Sequence, residues 1–131
     1  MALLTMKKLD TGRIEIEPRD DKYLLFTIYE DGELLEEDMV LVRDYLDQYE
    51  DKVSIVIVKN GENWLAPGAI TTMYMDAAAR IKAVVYLNRE YDANYAAQSY
   101  LHGIKVTSCR TLEEAVQWVE QFGPLPKPRT L

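Results

Sequence analysis

Val53-Ser54-Ile55-Val56-Ile57-Val58 is the stretch that most restricts the fold. Apart from Ser54, it is entirely apolar and β-branched. A strand without an alternating polar face needs cover on both sides, which is the habit of parallel sheets with packed helices.

The flanking sequence supplies those helices. Leu35, Met39, Val42, Leu46 and Tyr49 fall on one helical face. Glu33, Glu36, Glu37 and Asp38 crowd its first turns, where negative charge suits the helix dipole, and they read as a solvated helix start. Ala66, Ile70, Met73 and Ala77 recur at helical spacing after Pro67, a residue suited to a first turn. Residues 91–102 carry a further helix, which Gly103 ends. Thr111 and Glu114 form a capping-box pattern before Leu112, Ala115, Val116, Val119 and Phe122.

Strand patterns alternate with these helices. Arg13–Glu17 has period two, and Pro18 stops it. Residues 22–30 are rich in aromatic and branched side chains, and the short polar link at Arg19-Asp20-Asp21 predicts a hairpin. Residues 82–87 and 104–108 complete the set. The order is β-β-α-β-α-β-α-β-α. It predicts an α/β fold with a mixed, mostly parallel five-stranded sheet and four helices, the first strand lying antiparallel at the edge.

A chain of 131 residues without an internal repeat is read as one domain, with its ordered body at about residues 10–122. The tail, residues 123–131, holds three of the five prolines and is expected to be extended and frayed. Fifteen basic and 22 acidic residues leave a net charge of −7 and a pI near 4.7. That balance argues against nucleic acid as a partner, because phosphate contacts need a basic face. A single cysteine excludes a disulfide framework and a Cys-based zinc site. One histidine and scattered carboxylates make no transition-metal site, so no metal and no cofactor are expected. Ala2-Leu3-Leu4 is too short for a signal sequence, and no run reaches the ~20 apolar residues that span a bilayer. The expected location is the cytoplasm, without membrane insertion.

Residues Ala79-Arg80-Ile81-Lys82-Ala83-Val84-Val85-Tyr86 run from a helix end into a strand. Val106 to Val119 form a last strand, a short turn and a Leu-acid-acid-Ala-x-x-Trp helix. Together with the element order, these residues resemble the SpoIIAA-like group of STAS-type domains, which includes anti-sigma-factor antagonists. The resemblance implies a non-enzymatic regulatory module with a protein partner. The chain departs from the antagonists at residues 59–68, where they carry a phosphorylatable serine and this sequence has neither Ser nor Thr.

No phosphate-binding glycine loop and no Gly-x-Ser-x-Gly element is present, so no catalytic residue is assigned. The expected strand 104–108 separates His102 from Cys109 by roughly 17 Å, too far for a nucleophile–base pair. In α/β sheets, ligands sit at the carboxyl ends of the strands. The loops there bring Asn60, Asn63, Trp64, Asn88, Arg89 and Arg110, a set suited to an anionic group or a partner carboxylate. Tyr91, Asn94, Tyr95, Gln98 and His102 line one side of the expected third helix, a semi-polar face suited to a homodimer or another protein. The function expected is a protein-interaction module, with a small-molecule binding domain as the alternative.

Overall fold

In the computed structural model, the described residues are 7–29, 32–60, 63–87 and 103–129. A six-stranded sheet runs in the order β1 (Leu9–Asp10), β2 (Ile14–Arg19), β3 (Tyr23–Ile28), β5 (Val53–Lys59), β7 (Ile81–Leu87) and β8 (Lys105–Cys109). β1, β2 and β3 pair antiparallel, and β3, β5, β7 and β8 are parallel. The mixed α/β class is as expected from the sequence. The five-strand expectation is corrected to six, because two-residue β1 takes the edge beside Arg13–Glu17. Two residues are too few to show an alternation.

β5 sits at the centre, with Val53 to Ile57 buried. Ile55 and Ile57 join one apolar cluster and Val56 the other, so β5 is covered on both faces. Helix α1 (Glu36–Leu46) contributes Met39, Val42, Tyr45 and Leu46 to the larger cluster. Helix α3 (Leu112–Glu120) contributes Ala115 and Val119 to the smaller one on the opposite face. Its start follows the expected cap: the Glu114 N–H donates to Thr111 Oγ1 at 3.2 Å. At the β2–β3 turn, Asp20 and Asp21 adopt left-handed φ values of 52° and 53°. Aspartate tolerates that region better than most residues.

Two expectations are revised in detail. Helix α2 (Pro67–Thr72) widens into a π-turn over Met73–Ala77 and tightens again over Ala78–Arg80. Ala66, Met73 and Ala77 pack on the larger cluster as expected, joined by Ala69, whereas Ile70 is exposed. The loops flanking Asp31 and Asn60 also carry strand structure. β4 (Gly32–Leu34) and β6 (Asn63–Leu65) pair in parallel as a second, two-stranded sheet.

The proline-rich tail is not frayed over its described residues. Leu125 packs against the larger cluster, and Pro128 lies opposite Tyr49 in an antiparallel bridge. No described helix is long and apolar enough to cross a membrane.

Candidate functional site

The carboxyl ends of β3, β5, β7 and β8 form one rim, since these strands run in the same direction. Tyr29 follows β3, and its N–H donates to the Arg13 carbonyl at 3.1 Å. Asn60 follows β5, and its N–H donates to the Ile28 carbonyl at 2.8 Å. That bond extends the ladder past the strand end and holds Asn60 beside Tyr29 with its side chain exposed. Arg110 follows β8 and is exposed, and Leu112 opens α3 after the cap residue Thr111. With strands ~4.8 Å apart, the rim from β3 to β8 is roughly 15 Å wide.

The structure places Asn60 and Arg110 on this shared rim, two strand spacings apart, with β7 between them. Asn63 and Trp64 lie on the second ledge, in register with Gly32 and Glu33. Asn88 and Arg89 lie outside the described residues, as do Tyr91, Asn94, Tyr95, Gln98 and His102.

Tyr29 and Leu112 were not among the expected site residues, yet both belong to the rim. Tyr29 is 37% exposed and Leu112 39% exposed. Tyr29 reads in sequence as one more residue of an apolar strand, and Leu112 as one more of a buried helical stripe. Their exposure depends on where cover ends. α3 packs over β7, β8 and β5 and leaves Leu25 and Thr27 of β3 half-buried on the same face.

The acidic start of α1 is also more than a solvated cluster. Asp38 is 1% exposed. Its Oδ2 accepts the Leu35 N–H at 2.9 Å, and its Oδ1 faces Arg13 Nη1 at 3.5 Å. The carboxylate therefore satisfies an otherwise unpaired helix-start donor, with a guanidinium beside it. Glu36 and Glu37 remain exposed and line an open furrow of about 510 Å³ with Val40 and Leu41. Among the described residues, no group of three His, Cys, Asp or Glu side chains is placed to hold a metal ion.

Cys109 sits half-buried near the rim. Burial pushes its thiol above the ordinary value, and the Glu114 charge adds to the effect. The group stays protonated at neutral pH, the opposite of an activated nucleophile.

No protein-family model and no curated protein matches the sequence. Solved structures that match this chain include two. An uncharacterised protein of the DUF3478 family with a SpoIIAA-like fold, from Shewanella loihica PV-4, matches 81% of this chain and 91% of its own at 18% identity and a TM-score of 0.55. The anti-sigma factor antagonist SpoIIAA in its unphosphorylated form matches 81% of this chain and 96% of its own at 12% identity and a TM-score of 0.47. With its parallel strands bordered by an antiparallel hairpin and helices on both faces, the chain has a SpoIIAA-like α/β fold.

Proposed function

We propose that the chain is a non-enzymatic regulatory or protein-interaction module of STAS-like type that meets a protein partner at the strand-end rim. The carrying observation is the pair of exposed apolar side chains, Tyr29 and Leu112, on the rim that also exposes Asn60 and Arg110. Apolar and aromatic anchors set among polar groups suit a protein surface. A site for a small molecule would instead enclose most of its ligand. A second copy of the chain satisfies the same chemistry as a different protein.

The test uses the Tyr29→Asp, Leu112→Asp double variant. Wild type and variant serve as baits in cell extract, and the captured partner is then purified and titrated by calorimetry. Two anchor losses of 1–2 kcal/mol each predict a weakening of at least about tenfold. Undiminished binding by the variant contradicts the proposal. So does a metabolite that raises the melting temperature by several degrees only while Arg110 is intact, since that outcome assigns the rim to a small ligand. For a self-partner, light scattering replaces the extract. Wild type then dimerises with rising concentration, and the variant stays monomeric.

A further inference from the structure

The amino ends of the parallel strands carry a second surface, at the opposite end of the sheet from the rim. Gly123 turns the chain with a φ of 87° after α3, and residues 124–129 then cross this floor. Three backbone hydrogen bonds hold them. The Leu125 N–H donates to the Asp21 carbonyl at 2.8 Å, the Glu50 N–H to the Lys127 carbonyl at 2.9 Å, and the Arg129 N–H to the Gln48 carbonyl at 2.6 Å. Leu125 packs on the larger core cluster. Arg129 Nε donates to the Tyr49 carbonyl at 3.1 Å, an oxygen that also accepts Arg80 Nη2 at 2.7 Å. That carbonyl lies just past the end of α1, where the helix dipole favours cations.

We propose that this floor is a docking groove for extended protein segments of the pattern Leu-x-x-Pro-Arg, and that the chain's own tail is its resident, displaceable occupant. The tail uses the logic of extended-peptide recognition, with backbone pairing for affinity and side-chain sockets for specificity. Leu125 fills an apolar socket, Pro128 bridges Tyr49, and Arg129 meets the carbonyl end of α1. Proline-rich chain is already extended in its free state, so docking orders little. The body residues that receive the tail are remote from it in sequence, and only residues 121–124 link the end of α3 to Leu125. A short tether gives the tail an effective concentration in the millimolar range. A segment supplied by another protein must outcompete it, so the tail sets the threshold for occupancy.

The test follows amide hydrogen exchange at Glu50 in the 131-residue chain. Leu125→Ser empties the socket and is expected to speed exchange at Glu50 by at least about tenfold while Val56, in the core of β5, stays protected. Arg129→Ala removes one part-buried side-chain contact of an exposed residue and keeps the fold, and it speeds Glu50 exchange to a smaller extent. The free peptide Gly-Pro-Leu-Pro-Lys-Pro-Arg at millimolar concentration then restores protection in both variants. The same peptide with Ser in place of Leu restores it in neither. Unchanged Glu50 exchange in Arg129→Ala, or no restoration by the matching peptide in either variant, overturns the proposal. The Arg129→Ala arm decides the outcome if Leu125→Ser does not fold.

Discussion

Burial at single residues sets both the stability and the titration of this chain. Ser54 is buried in the central strand, and its hydroxyl has no hydrogen-bond partner among the described residues. An unsatisfied buried hydroxyl has lost its water without compensation. Ser54→Ala is therefore expected to raise stability by about 1 kcal/mol, read from the urea midpoint. Burial also pushes the phenols of Tyr23, Tyr45 and Tyr49 above their ordinary value, Tyr49 furthest. The folded chain keeps these protons where the unfolded chain has lost them. Stability from this source is thus complete below about pH 10 and declines above it, by up to about 1.4 kcal/mol per pH unit for each phenol. An alkaline titration followed by phenolate absorbance should show these tyrosines silent until the chain unfolds. Their ionisation near pH 10 with the fold intact contradicts that assignment. At this scale, sequence identified exposed polar residues such as Asn60 and Arg110. It missed Tyr29 and Leu112 because an apolar side chain at an element's end looks the same whether its neighbour covers it or stops short.

Elements were legible where their period was long and regular. The apolar run of β5, interrupted only by Ser54 before Lys59, announced a doubly covered strand, and Thr111 with Glu114 marked the start of α3 correctly. α2 keeps its expected core contacts at Ala66, Met73 and Ala77 and departs only at Ile70, which is exposed, while a π-turn interrupts the 3.6-residue period over Met73–Ala77. β1, β4 and β6 have two or three residues each, too few to establish an alternation. The proline-rich tail has no period at all, and its order comes from contacts with residues far away in sequence. The start of α1 shows how one side chain can define an element. Asp38 is the buried acceptor for the Leu35 N–H and the partner of Arg13. Asp38→Ala removes both contacts and leaves a helix-start donor unpaired. The expected loss is about 1–3 kcal/mol by chemical denaturation, whereas Glu37→Ala, an exposed change one residue away, stays within ~0.5 kcal/mol.

Across the whole molecule, the two ends of the parallel strands differ in character. The carboxyl rim presents Tyr29, Asn60, Arg110 and Leu112 to solvent. The opposite floor is closed by the chain's own tail. Between them, nine-residue α3 covers one sheet face only in part, while α1 and α2 pack side by side over the other. Arg43 to Asp76 at 3.5 Å and Arg80 to Asp47 at 3.3 Å link α1 to the chain around α2's continuation. Among the described residues, the carboxyl rim is thus the end of the sheet left exposed. The most direct measurement is the set of NMR chemical-shift changes when the purified partner is added to the 131-residue chain. The account predicts that the largest changes fall on Tyr29, Asn60, Arg110 and Leu112, with Val40 and Leu41 on the outer side of α1 unmoved. Changes confined to the α1 furrow, with the rim unmoved, would contradict it.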